Sequence, residues 1–285
     1  MRSSRWLVGS VAFVLAAALG VLWVAGGRSE PRAHHVRASA APAAEPTAFT
    51  TSLEIPATLG PGARIVFMGD SVGGDVARGL VPVAASRGAV VTPQTVPGCS
   101  NIRGLPVGAD DQWLPWAPAC LHHLETSWRA GVGATPANAV LWLSSFDASR
   151  RLIDGTIADP ATPDGRARIA ALILETADIV APPGSGRRVV FLLPAPQSPS
   201  YKFGPPDPAA VSATAHHAAI LHLVIAQDPT RFSMLRLSQY LCPAGAGWCP
   251  LELTPGFAPR GWDGRHLSPE GAAWLAPLIL DALGV

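Results

Sequence analysis

A serine hydroxyl becomes a nucleophile at neutral pH only when a base stands within hydrogen-bond reach, a third group orients that base, and donors face the developing oxyanion. Residues suited to these parts occur at two widely separated places. Gly69-Asp70-Ser71-Val72 follows a short apolar run, Arg64 to Met68, and leads into Val72 to Ala85, whose apolar residues recur at helical spacing. Ser71 is therefore expected at a strand-to-helix turn, where backbone N–H groups lack helical partners and point toward whatever the turn binds. Far along the chain, Asp263-Gly264-Arg265-His266 stands just before a final helix. That helix is expected to start with Ser268 as N-cap and Pro269 at its first position, burying Ala272, Leu275, Ile279 and Ala282. His266 is the candidate base. Asp263, three residues earlier, suits acceptance of a hydrogen bond from one imidazole nitrogen, leaving the other for Ser71; the plainer alternative is a loop-capping aspartate. Such a set, brought together, would transfer acyl groups through an acyl-serine.

Two distant loops must be brought together for this. Short aliphatic runs at Ala89–Val91, Ala139–Leu143, Arg188–Leu193 and Met234–Leu237 alternate with helical stretches near Arg166–Val180 and Ala209–Ala226. The alternation predicts a three-layer α/β/α, flavodoxin-like domain over 61–285, with a parallel sheet of about five strands, and in such sheets functional loops gather beyond the carboxyl ends of the strands. A chain of 285 residues that is 48% hydrophobic has enough apolar surface for one such core.

Charge excludes one class of function. Lys and Arg number 21 against 20 Asp and Glu, so no basic excess exists to neutralise phosphates and no nucleic-acid partner is expected. Residues 1–27 contain an uncharged apolar run, Trp6 to Gly27, near the roughly 20 residues that a helix needs to cross a bilayer. The expectation is a single-pass membrane anchor with the following chain outside the cytoplasm; the competing reading is a signal peptide cut near Ala38-Ser39-Ala40. Residues 28–60, rich in Ala and Pro, read as a tether. The four cysteines all lie in the exported part, where disulfides persist; proximity pairs Cys99 with Cys120 and Cys242 with Cys249, one of three possible connectivities.

Other residues admit both a functional and a plain reading. His122, His123, His216, His217 and His222 lack metal-ligand spacing and are expected on the surface, so no metal or other cofactor is invoked. Trp113, Trp116 and Trp128 suit either a sugar-binding groove or the core. Arg150, Arg151 and Asp154 either border a cleft or solvate a loop.

The order G-D-S-V early and D-x-x-H late resembles the SGNH/GDSL hydrolase superfamily, and more closely its extracytoplasmic domains associated with membrane acyltransferases that O-acetylate bacterial surface polysaccharides. Gly98-Cys99, the tryptophan-rich middle and Cys242-Pro243 carry the closer likeness, which covers Arg64 to Leu283. The resemblance implies Ser71, Asp263 and His266 as the triad, with the N–H groups of Ser71 and Gly98 as oxyanion donors. At the third motif, which usually reads G-x-N-D, this chain has Ser144-Ser145-Phe146-Asp147, so the usual asparagine donor is missing. Ser144, Ser145 or Asn101 as replacement, or two backbone amides alone, are the alternatives; loss of one such donor typically costs about a hundredfold or more in turnover. Candidate cleft residues are Asp70, Asn101, Ser145, Asp147 and Arg150. The implied function is a serine esterase or O-acyltransferase acting on acyl esters, acetyl above all, of cell-envelope glycans at the bacterial membrane, with a membrane acyltransferase as partner. Two other readings are a non-catalytic glycan-binding or assembly module and a lipase-like enzyme on long acyl chains.

Overall fold

The computed structural model describes residues 59–200, 204, 208–242 and 249–285, with backbone alone at 208–211. The expected anchor at 1–27 and all but the last two residues of the tether lie outside these residues. Among the described residues no helix is long and apolar enough to cross a membrane.

In chain order the elements are β1 (Arg64–Gly69), α1 (Ser71–Ser86), β2 (Val90–Thr95), β3 (Leu105–Pro106), α2 (Ala117–His123), a π-helical turn (Leu124–Trp128), α3 (Arg129–Ala134) and β4 (Ala139–Leu143). There follow β5 (Arg151–Ile153), β6 (Thr156–Ala158), α4 (Pro163–Val180), β7 (Arg188–Leu193), α5 (Pro208–Ile225), β8 (Phe232–Arg236), α6 (Ser238–Leu241) and α7 (Pro269–Ala282). Five parallel strands form the main sheet in the order β2-β1-β4-β7-β8, and β3, β5 and β6 form a small antiparallel sheet. The α/β class and five parallel strands are as expected; the small sheet and the helical segment 117–134 are additions.

Helices cover both faces, which is why β4 is buried at every residue and reads as a continuous apolar run rather than an alternating one. Ile65 and Phe67 of β1 face the core shared with α1 and α7, whereas Val66 and Met68 face the core shared with α4 and α5. β2 is an edge strand running to Thr95, beyond the expected Ala89–Val91, and its Pro93 is tolerated because an edge has no second neighbour to bond. β8 likewise begins earlier than the expected Met234.

The strand order reverses at β1. The chain leaves it for β2 on one side and later returns as β4 on the other, so a crevice opens beyond the carboxyl end of β1, the place where open α/β sheets bind their ligands. The tips of β1 and β4 touch there: a Cβ on Gly69 would stand 2.1 Å from the Leu143 carbonyl oxygen, so only glycine fits. At the far end, Ser268 caps α7 by accepting the Gly271 N–H at 2.9 Å, with Pro269 at the first helical position, as the sequence indicates.

Candidate active site

Ser71 opens α1 at the crevice, and Asp70 sets its position. One Asp70 oxygen accepts the N–H groups of Val72 (3.0 Å) and Gly73 (3.2 Å), forming the N-cap. The other accepts the Ser145 N–H (2.7 Å) and hydroxyl (2.6 Å) from the loop after β4. Asp70 is 0% exposed, and burial raises its pKa against the lowering effect of these hydrogen bonds. It is therefore a clamp beneath the turn, not the cleft residue expected from sequence.

The loop before α7 reaches over this turn. Ser71 Oγ lies 2.8 Å from His266 Nε2, and His266 Nδ1 lies 2.5 Å from Asp263 Oδ2. Because a carboxylate only accepts, the proton between them sits on Nδ1, leaving Nε2 with a lone pair toward Ser71. Asp263 Oδ1 accepts the backbone N–H groups of Arg265 (2.9 Å) and His266 (3.0 Å), which fixes the loop's curl. Burial pushes the Asp263 carboxyl up, but the bonds from the His266 ring and the two amides outweigh it and hold its pKa below the usual carboxylate value. Gly264 turns the loop at φ +68°, where a Cβ would also meet the Ser198 carbonyl oxygen at 2.3 Å, so glycine is required twice over.

A buried arginine holds this loop down. Arg260, 5% exposed, donates to the carbonyls of Pro196 (2.5 Å), Gly264 (3.0 Å) and Ala195 (3.3 Å), tying the loop after β7 to the Asp263–His266 turn. Burial lowers its pKa to about 10, which leaves it charged at neutral pH. Ser198 N–H to Gly264 O at 2.9 Å and Gln197 Nε2 to Asp263 O at 3.2 Å add two further ties.

The loop after β2 carries Gly98. Its root is bonded to the serine turn through Val96 N–H to Gly69 O at 2.8 Å, and the Cys99–Cys120 disulfide pins it to α2. The second disulfide is Cys242–Cys249, so both proximity pairings form. Among the described residues neither the Ser71 nor the Gly98 N–H has a protein acceptor.

Behind this loop lies a charged cluster sealed from water. Asp147 accepts from Trp142 Nε1 (2.6 Å), Ser100 Oγ (2.7 Å) and the Asn101 N–H (2.8 Å). Arg151 donates to Phe146 O (2.7 Å), Arg103 O (2.8 Å) and Ser100 Oγ (3.1 Å). Both are 0% exposed; burial raises the Asp147 pKa against the attraction of Arg151, and lowers that of Arg151 to about 10. This cluster ties the Gly98 loop to the loop after β4. Asp147 is thus a buried strut rather than a cleft residue, and Arg151 neither borders a cleft nor solvates a loop. Asn101 is also 0% exposed, and neither polar atom of its side chain has a partner, so it does not line the cleft. Arg150 is held by Asp111 (2.5 Å), Asp159 (3.2 Å) and the Gly108 carbonyl, away from the crevice.

Of the five expected cleft residues Ser145 alone lines the cavity at the crevice, a space of about 250 Å³ walled by Val72, Phe146, Gln197, His217, Leu241 and others. His217, expected on the surface, faces this cavity from α5 at 6% exposure, and burial lowers its pKa to about 4, so it is neutral. Trp128 is core, its indole N–H donating to Gln94 O at 2.9 Å, whereas Trp113 is 48% exposed. Sequence reasoning missed Arg260 altogether and, for Arg151, its burial. An isolated arginine carries no periodic signal of burial, and the carbonyls that need its donors come together only in the fold.

Comparison with curated proteins returns no match. Among solved structures the chain resembles the periplasmic domain of a lipopolysaccharide acetyltransferase from Salmonella ser. Paratyphi A, with 13% identity, a TM-score of 0.50, and coverage of 78% of this chain and 83% of that one. It also resembles a carbohydrate acetylesterase from Sinorhizobium meliloti (15% identity, TM-score 0.44, 77% and 97% covered) and a GDSL-like lipase from Bacteroides thetaiotaomicron (15%, 0.43, 78% and 88%). The five-stranded sheet, the serine turn at its switch point and the histidine loop before the last helix accord with the match of residues 42–281 to the SGNH domain (fused to AT3 domains), and the chain belongs to that family.

Proposed function

We propose that the protein is a serine esterase or O-acyltransferase acting on acyl esters of cell-envelope glycans, with Ser71, His266 and Asp263 as its catalytic triad. The observation that carries this reading is the unbroken hydrogen-bond chain from Ser71 Oγ through His266 to Asp263. Ser71 Oγ attacks the ester carbonyl carbon while its proton passes to His266 Nε2. The carbonyl electron pair moves onto oxygen, where the N–H groups of Ser71 and Gly98 receive it. As the pair returns, the ester C–O bond breaks and His266 gives its proton to the leaving alcohol. The acyl-serine is then attacked by water, releasing acid, or by a sugar hydroxyl, releasing a new ester; His266 takes and returns the proton in the same way. Asp263 stays ionised and stabilises the imidazolium.

Placement outside the cytoplasm beside a membrane acyltransferase is supported by the family's fusion to AT3 domains and by two disulfides, which persist in oxidising compartments, and an N-terminal anchor by the apolar run Trp6 to Gly27. The test is Ser71→Ala in the full chain, assayed for p-nitrophenol release and for acyl transfer onto glycan acceptors. The parent should release p-nitrophenol and the variant should not, and product analysis with acceptor present separates hydrolase from transferase. A parent that binds glycan but turns over no ester would instead establish the binding-module reading.

A further inference from the structure

The cavity lined by Val72 and Ser145 is larger and less polar than an acetyl group needs. Val72, the residue after Ser71, and Ser145, which is bonded to the residue before it, both line it, as does Arg265, the neighbour of His266. The lining thus includes chain neighbours of both Ser71 and His266. Its walls are mainly apolar: Val72, Val76, Leu237, Leu241, Leu267 and the ring of Phe146. Phe146, which stands where the family motif places an asparagine, is half-buried, with its ring edge-on to Trp116 at 5.0 Å and 73°. The departure from the motif thus exchanges a polar donor for a wall of the cavity.

The polar groups in the lining are already engaged or uncharged. Arg260 is turned onto backbone carbonyls, and Arg265 donates to Gln197 at 3.4 Å at the rim. His217 is neutral at physiological pH because burial disfavours its cation. Arg265 alone of these three keeps a cation not committed to backbone carbonyls, and it lies at the exposed rim, so the interior offers a charged acyl group no unengaged counter-ion.

We infer that this cavity is an acyl-chain pocket that receives an uncharged acyl group of medium length, about six to eight carbons, rather than acetyl alone. The size follows from its volume of about 250 Å³. A dry cavity of about 150 Å³ already accommodates the six carbons of benzene, and two acetyl carbons would leave most of this space empty. The inference rests on the serine reading above and assigns the acyl half of its substrate.

The experiment compares kcat/KM of the full chain for p-nitrophenyl acetate and p-nitrophenyl hexanoate, each divided by its rate with hydroxide. A fitting methylene in an apolar pocket is worth about tenfold or more, so hexanoate should exceed acetate by at least about tenfold. Ala213→Trp, on an exposed position of α5 that reaches the lining, and Ser149→Trp, on the loop after β4, should each fill the pocket and cut that ratio by about tenfold. A corrected ratio of one or less in an active parent, or a ratio unmoved in both folded variants, overturns the pocket and leaves the serine chemistry standing. Absence of turnover on both esters overturns the serine reading and the pocket with it.

Discussion

Asp263→Asn tests how the imidazole is held. In the parent, Asp263 Oδ1 accepts two backbone N–H groups, from Arg265 and His266, while Oδ2 accepts from His266 Nδ1. An asparagine has one carbonyl oxygen, and the two amides require it at the Oδ1 position. Its NH₂ must then occupy the Oδ2 position and donate toward Nδ1, which forces the imidazole proton onto Nε2 and turns an N–H, not a lone pair, toward Ser71. The loop keeps its shape and the base loses its function. The same tautomer error in a serine protease lowers kcat by about ten-thousandfold, close to 5.4 kcal/mol of transition-state stabilisation at about 1.36 kcal/mol per tenfold. The expected outcome is a drop in kcat of that order with little change in KM, measured on a p-nitrophenyl ester, beside an unchanged circular dichroism spectrum. Linkage gives a second readout. The folded-state pKa of Asp263 lies below its unfolded value, so its contribution to stability is complete above about pH 4 and fades as pH falls through the lower folded value. The parent's stability relative to Asp263→Asn should therefore narrow only in acid. A folded Asp263→Asn that keeps more than about a tenth of the parent kcat would refute the tautomer argument.

Two further outcomes follow from the buried groups. Arg151→Met removes the bonds from Arg151 to Phe146 O, Arg103 O and Ser100 Oγ and leaves Asp147 buried without a neighbouring cation, so it should cost about 3–5 kcal/mol in denaturant unfolding, and adding Asp147→Asn should restore part of the loss; a single variant within about 1 kcal/mol of the parent would contradict the coupling of the two residues. His217 titrates near 4 when folded against about 6.5 unfolded, so the unfolded chain binds the extra proton and stability should fall as pH drops across that window, by something of the order of 3 kcal/mol. His217→Phe should flatten that slope, and parallel pH curves for parent and variant would overturn the assignment.

What could be read from the sequence was whatever leaves a local pattern. The serine turn is marked by an apolar strand, Gly-Asp-Ser and a helix, and α7 announces itself by Ser268, Pro269 and an apolar face, so the two loops that meet at the crevice were legible before the fold. The residues that hold those loops were not. Arg151, Arg260 and Asp147 are buried because backbone carbonyls and amides from several loops converge on them, and such convergence is a property of tertiary structure with no periodicity along the chain. Asp70 was read as a cleft residue because it adjoins Ser71, yet its role as an N-cap turns its carboxylate away beneath the turn. The strands β3, β5 and β6, two or three residues long, are too short to display alternation, and the helical segment 117–134 is broken by a π-helical turn that disturbs its period. His217 lies on a helix with apolar residues around much of its surface, so the buried side could not be told from the exposed one.

Covalent capture of the nucleophile tests the central claim most directly. The full chain, incubated with a slowly hydrolysed p-nitrophenyl ester or a fluorophosphonate and analysed by peptide mass spectrometry, should carry one adduct on Ser71, strongly reduced in His266→Ala and absent in Ser71→Ala. An adduct on another residue, or ester turnover that persists undiminished in Ser71→Ala, would contradict it.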